Sequence, residues 1–432
     1  MSKNHFILKN VQLSNGTSVD VEVEDQLVKS VAAGITGATE IDCSGLIALQ
    51  GFVDLHTHLR EPGFEQSETI LTGSKAAAKG GFTAVHAMAN TMPVADNAAV
   101  VEQVYALGKS AGYVQVQPIG AVTLGLNGTQ LSDLGKMNAS TANVTVFSDD
   151  GKCVSDSLVM RRALEYVKAF GGVIAQHAQD PSLTVGSQMN DGAISLKLGL
   201  TGWPAVAESA IIARDVLLAE QVQSRLHVCH VSTRASVDII RWAKARGIDV
   251  TAEVTPHHLL LTEDLASGYN PIFKVNPPLR TQDDVVALRE AVADGTIDIV
   301  ATDHAPHPAD SKDCEWGEAA FGMIGLETAA AIAKTSLIDT GLIDWVRFEE
   351  ILSTNPARIG GLTDQGQSIK PGSFANIVLM DPKTKYTVDS STESKSSNNP
   401  YLGMELSGSI VHTIYKGTFT VKNSEIQKLG EN

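Results

Sequence analysis

The stretch Gly51-Phe52-Val53-Asp54-Leu55-His56-Thr57-His58 reads as an apolar strand that ends in two histidines. Side chains two apart on a strand share a face. Both imidazoles therefore project together from the strand's carboxyl end. Neutral imidazole is the commonest protein metal ligand. The competing reading is a pair of polar strand-end residues with no ligand. What the rest of the chain places in similar positions decides between the two.

Outward from this strand, residues 51–360 alternate strand and helix signals. Strands are expected at 52–58, 82–89, 114–120, 143–148, 172–177, 225–231, 248–255 and 297–303. Helical stretches such as 68–79, 95–110, 156–170, 206–221 and 235–246 lie between them. Eight strands with helical crossovers suggest an α/β fold, a parallel (β/α)8 TIM barrel. An open doubly wound sheet is the alternative. Both ends of the chain look different. Residues 6–13 and 18–23 alternate around an Asn15-Gly16 turn, and 375–380, 386–389 and 408–417 are β-rich. The expected organisation is a small β-sandwich-like domain from 1–50 plus 365–432, around a barrel at 51–364. The Ser/Asn-rich segment 390–400 reads as a solvated loop.

Composition narrows the class. The chain has 432 residues, 43% of them hydrophobic, which is ordinary for a globular protein. No apolar run reaches the roughly 18 residues of a membrane helix. The start, Met1 to Lys9, has no apolar core of a signal peptide, so a cytoplasmic protein is expected. A formal charge of -16 disfavours nucleic acid as a partner. The cysteines (Cys43, Cys153, Cys229 and Cys314) are scattered without a CxxC, so reduced thiols are expected.

A TIM barrel carries its chemistry at the carboxyl ends of its strands. The fourth strand ends in Ser148-Asp149-Asp150-Gly151, the fifth in Gln176-His177 and the sixth in Cys229-His230. The eighth ends in Thr302-Asp303-His304. With His56 and His58, four histidines and two aspartates can hold two divalent ions that share a carboxylate. Such ions acidify a bridging water toward neutrality. Zinc accepts this ligand set. A carboxylate beside the nucleophile can pass its proton to a leaving nitrogen. The residues alone point to a metal-dependent hydrolase.

Val53-Asp54-Leu55-His56-Thr57-His58, the single histidines of strands 5 and 6 and the aspartate of strand 8 resemble the amidohydrolase superfamily. Five motifs in matching order resemble, more closely, the bacterial class I dihydroorotase family. These are His58-Leu59-Arg60-Glu61-Pro62-Gly63, Met88-Ala89-Asn90-Thr91, Ser148-Asp149-Asp150-Gly151, Val275-Asn276-Pro277-Pro278-Leu279-Arg280 and Ala301-Thr302-Asp303-His304-Ala305-Pro306-His307.

The resemblance implies reversible cyclisation of N-carbamoyl-L-aspartate to (S)-dihydroorotate, in pyrimidine biosynthesis. It implies that His56, His58 and Asp303 hold the more buried zinc ion, that His177 and His230 hold the second, and that Asp150 bridges them. Asp149 competes for the bridging role. An aspartate bridge needs no carbamylated lysine, so no bicarbonate requirement is expected for building the ligand set. Asp303 is the expected catalytic proton shuttle. His58, Arg60, Asn90, Asn276, His307 and the Phe321-Gly322 backbone are the expected substrate contacts. Arg60 would clamp a carboxylate through its planar fork. A homodimer and an association with aspartate carbamoyltransferase belong to the same expectation. Dihydropyrimidinase or allantoinase is the nearest enzymatic alternative. A catalytically silent barrel serving as an assembly subunit is the other.

Remaining residues have plainer expectations. His86 is a core histidine, and His257 and His258 are structural or support the ligands. His227 faces away, and His304 points opposite to Asp303. Asp54 shares the face of His56 as a supporting partner. Cys229 packs outside the barrel, while thiolate capture of zinc by Cys153 or Cys314 stays open as an alternative. The polar segment 305–321 reads as a loop that closes over substrate.

Overall fold

The computed structural model describes residues 4–429. The leader reading rests in part on Met1–Lys3, which lie outside them. Eight parallel strands form the centre: Phe52–Thr57, Phe82–Ala87, Gln115–Pro118, Val146–Phe147, Val173–Gln176, Leu226–Val228, Val250–Val254 and Ile299–Val300. The first three pair in sequence, and so do the last five. Bridges Gly120–Phe147 and Thr57–His304 close the ring at both seams. Closure rules out the open sheet. The fold is the expected (β/α)8 barrel.

Several strands stop short of their expected ends. His230 has φ 31° and Asp303 has φ 46°. Both backbones leave the extended region there, a conformation that costs energy in a non-glycine residue and collects at functional sites. The helices follow expectation more closely, at Ile70–Lys79, Ala98–Ala111, Ser157–Lys168, Val206–Val222 and Arg234–Ala245. Their starts are chemically marked. Asn97 and Asp156 each accept two backbone N–H groups of the first turn.

Strand side chains divide between two apolar layers. Phe82, Val85, Ile174, Val228 and Val250 pack against helix residues such as Ala76, Val101, Leu164 and Ile240. Leu55, Val146, Val173, Cys229, Ile299 and Ala301 pack on one another, with Ile359 closing the group. Cys229 was expected outside. It lies in this inner group because the break at His230 ends the simple alternation.

Strands from both termini build one nine-stranded sheet. Strand Ile47–Gln50 pairs antiparallel with the start of Ile377–Thr387, Gln50 opposite Ile377. Leu8, Val21, Val23, Ala48, Ile377 and Leu379 form its core. The residues leading into the first barrel strand are thus clamped by the carboxyl-terminal part of the chain. The segment 390–400 is not a solvated loop. Ser394, Ser396 and Asn398 are buried. Ser396 donates to the Ser67 carbonyl, 2.6 Å, and the Lys395 N–H to Glu68, 3.0 Å. Short polar side chains here satisfy barrel-loop backbone rather than water. Among the described residues no helix is long and apolar enough to cross a membrane.

Phe52 is fully buried, with its ring edge-on to Phe82 and Phe348 at 5.9 and 6.1 Å. Phe52→Ala should lower unfolding free energy by about 3–5 kcal/mol, read from denaturant titration of the purified chain.

Candidate metal centre

His56, His58, Asp150, His177, His230 and Asp303 come together at the carboxyl end of the barrel, each 5% exposed or less. His56 Nε2 stands 3.5 Å from both Asp150 Oδ1 and Asp303 Oδ1. His58 Nε2 lies 3.1 Å from Asp303 Oδ1 and 3.3 Å from Asp150 Oδ2. His177 Nδ1 and His230 Nε2 are each 3.3 Å from Asp150 Oδ1, and 2.8 Å from one another. Asp150 therefore faces His58 with one oxygen and the other three histidines with the second.

These spacings test whether the residues fit a metal. Donor atoms about 2.0–2.1 Å from one tetrahedral zinc stand about 3.3 Å apart. The observed separations cluster around that edge. His56, His58 and Asp303 form one candidate ligand group, and His56, Asp150 and His230 form another. His56 Nε2 is buried with no hydrogen-bond partner. A lone pair held in this way between carboxylates suits a cation. The donor set fits divalent metal.

Outer partners aim the rings. His56 Nδ1 donates to Glu253 Oε1 at 2.5 Å, leaving Nε2 directed at the centre. His58 Nδ1 faces Asn90 Oδ1 at 3.0 Å, and His177 Nε2 faces Gln179 Oε1 at 2.7 Å. Acceptors on the outer nitrogens select the tautomer that presents a lone pair inward. Glu253 also accepts the His230 N–H at 3.1 Å and faces His227 Nε2 at 3.1 Å. Hence His227, expected to face away, supports the centre from below. Sequence reasoning missed Glu253. Its signal was an acidic residue inside the apolar run Val250–Val254, since a buried charge demands partners.

Electrostatics follow from this packing. Burial disfavours a charged His56, but Asp150, Glu253 and Asp303 together raise its pKa well above the ordinary imidazole range. Burial likewise opposes an ionised Asp303, yet His56 and His58 hold it at about 2. Asp150 is held well below the carboxylate range against its own burial, with His56 the main cause and His177 and His230 adding to it. The centre is a pair of anionic carboxylates enclosed by histidines.

Neighbouring residues take other places. Asp149 turns away and accepts the N–H groups of Val122 and Thr123 at 2.8 and 3.0 Å. Asp54 accepts from the His56 and Thr302 N–H groups, so it ties the first strand to the eighth rather than orienting an imidazole. His304 faces Glu68 at 3.3 Å. His86 is fully buried, and burial lowers its pKa to about 4. His258 faces the Pro277 carbonyl at 3.2 Å, while His257 is buried with its Nε2 unpartnered. All four cysteines are free.

One side of the centre carries the expected substrate residues. Arg60 has φ 63°, so the strand does not continue to it. Its guanidinium donates to the Pro306 carbonyl at 3.2 Å and stands 3.4 Å from His307 Nε2. His307 Nε2–H donates to the Phe321 carbonyl at 2.8 Å. Burial, with the Arg60 charge beside it, lowers His307 to about 3, so the ring is neutral. Asn276 Nδ2 donates to Gln179 Oε1 at 3.1 Å, close to His177. Gly322 has φ 144°, and a Cβ there would meet Ala305 Cβ and His307 Nε2 at 2.8 Å, so glycine is required. Asn398, from the carboxyl-terminal segment, accepts the His307 N–H at 3.1 Å and donates to the Ala305 and Gly322 carbonyls.

A closed parallel barrel with histidines and aspartates converging at its carboxyl end defines a metal-centred barrel hydrolase. Solved structures share this architecture. An L-hydantoinase (dihydropyrimidinase) from Arthrobacter aurescens matches with TM-score 0.87 and 25% identity over 98% of this chain and 97% of its own. A dihydropyrimidinase from Brevibacillus agri matches with TM-score 0.84 at 22% identity over 98% and 96%, which speaks to fold alone. A dihydro-orotase-like family model matches residues 45–236. The dihydroorotase of Leifsonia xyli is 60% identical over 429 residues, 99% of this chain and 98% of that protein. That of Streptomyces coelicolor is 57% identical over 97% and 99%. The chain belongs to the dihydroorotase family.

Glu253→Gln removes the charge that holds His56 and His227. Metal affinity should drop about 10–100-fold, measured by chelator competition on the folded variant.

Proposed function

We propose that this chain is a dihydroorotase, interconverting N-carbamoyl-L-aspartate and (S)-dihydroorotate in pyrimidine biosynthesis. The 60% identity to the Leifsonia xyli dihydroorotase, extending over nearly the whole of both chains, carries this reading. The buried His/Asp cluster supports it, because it offers a place for a divalent ion of the kind that activates water for hydrolysis. We further propose zinc as the metal, with two ions per subunit. His56, His58 and Asp303 would hold one, His177 and His230 the other, and Asp150 would bridge. Divalent ions in that position supply Lewis acidity, which polarises a carbonyl and acidifies water.

The remaining chemistry falls to side chains. Arg60 binds the substrate carboxylate through two parallel N–H groups, and neutral His307 and Asn90 complete that pocket. Asn276 and the 321–322 backbone grip the ring. The Gly322 N–H is already given to the Lys274 carbonyl at 3.0 Å, so the Phe321 N–H serves the ring. Asp303 takes a proton from the attacking water and delivers it to the departing ring nitrogen. In the reverse direction it takes the proton from the amide nitrogen as that nitrogen attacks the carboxyl carbon. Cyclisation of the dianion to the monoanion consumes one proton and releases water. The ring form is therefore favoured as pH falls, by about tenfold per pH unit.

The domain division at 51–364, against 1–50 with 365–432, belongs to the same proposal, as do a cytoplasmic location and a homodimer. Light scattering tests the dimer, and co-elution with aspartate carbamoyltransferase tests that partnership.

Purified protein should turn over dihydroorotate and leave hydantoin and allantoin untouched. Preferential hydrolysis of either of the latter would overturn the assignment. Asp303→Asn should keep its metal, by elemental analysis, while kcat falls about 10²–10⁴-fold.

A further inference from the structure

Two lysines beside the candidate substrate pocket are buried without a carboxylate partner. Lys274 is 2% exposed and Lys312 is 7% exposed. Neither is in an ion pair among the described residues, although the chain carries 49 acidic side chains. A buried ammonium without a counter-charge is costly unless hydrogen bonds replace its water. Here backbone carbonyls do so, and they do so reciprocally. Lys312, on the segment 305–321, donates to the carbonyls of Pro271 and Lys274 at 3.1 and 2.9 Å. Lys274 donates back to the carbonyls of Trp316 and Gly317 at 2.7 and 3.1 Å.

The two segments so joined carry the two ends of the ring subsite. Asn276 lies two residues beyond Lys274. The Lys274 carbonyl that Lys312 holds also accepts the Gly322 N–H at 3.0 Å. The Lys274 ammonium sits 4.5 Å from the centre of the Phe321 ring, a cation–π distance. Phe321 in turn packs edge-on to Trp203 at 6.0 Å. Burial pushes Lys312 down to about 7, with the Lys274 charge adding to the shift. Holding both cations here therefore works against their solvation.

We propose that Lys274 and Lys312 are positioning residues that latch segment 305–321 onto 271–276 before substrate arrives. The latch sets the spacing between Asn276 and Phe321-Gly322. It rests on the reading that these residues grip the ring. A pre-formed pocket loses less freedom on binding, so the gain falls on substrate affinity. The loop expected to close over substrate is on this view already shut.

The test uses full-length, metal-loaded enzyme. Lys312→Met keeps the stem and removes the ammonium. KM for dihydroorotate should rise about tenfold or more while kcat changes less than about threefold. Metal content should stay unchanged, and proteolysis within 305–321 should accelerate. A folded Lys312→Met with unaltered KM and unaltered cleavage overturns the latch. If that variant does not fold, the unmodified enzyme decides. Its 305–321 segment should resist cleavage equally with and without dihydroorotate, and rapid cleavage without ligand refutes the proposal. Asn276→Ala separates the two layers. An unchanged KM there, with slow cleavage of 305–321 retained, removes the ring-subsite reading and leaves the latch standing.

Discussion

Two carboxylates buried within hydrogen-bond range of four imidazoles set the terms for the rest of this molecule. Asp150 and Asp303 are each 5% exposed. Neither could stay ionised there without positive charge close by. A divalent metal would provide it, and the histidines could hold that metal only if each ring presents the correct nitrogen. Glu253, Asn90 and Gln179 enforce that orientation from outside the cluster. Glu253 needs its own support, which His227 supplies. Polar groups thus extend downward into a barrel whose interior is otherwise apolar, and each layer is satisfied by the one below.

The barrel makes such a cluster affordable. Parallel strands place the ends of strands 1, 4, 5, 6 and 8 on one rim. At two of these ends, His230 and Asp303, the backbone turns to positive φ. The strain is local, and closed strand pairing on both sides holds it. The residues proposed to bind substrate are placed differently, on segments with no regular structure. Arg60, His307 and Gly322 are held by backbone carbonyls, and His307 and Gly322 also by Asn398. That residue comes from the carboxyl-terminal part of the chain, so the end of the chain helps to fix these residues as well as completing the terminal sheet.

Much of this was legible in the residues. Eight strand signals separated by helical stretches mark a barrel, because periodicity is a local property of sequence. The histidines and aspartates at strand ends were legible for the same reason. The terminal β-rich segments were visible too, though not the pairing of Gln50 with Ile377. What escaped reading depended on breaks in regular geometry. Cys229 and His227 were placed by simple alternation, which fails next to a left-handed residue. Segment 390–400 looked solvated because serine and asparagine are usually exposed. Its side chains are instead consumed by the Ser67, Glu68, Ala305 and Gly322 groups, which only folding brings near.

The chain by itself determined which histidines and aspartates end its strands, their order and the rim on which they stand. Residue type and strand period suffice for that. Only the tertiary structure decided which oxygen of Asp150 faces which ring, and that Glu253 holds His56 across 197 positions. It also decided that Lys274 and Lys312 join segments 271–276 and 305–321 through backbone carbonyls. Those outcomes depend on distances between segments remote in sequence, and such distances exist only once the ring of strands has closed.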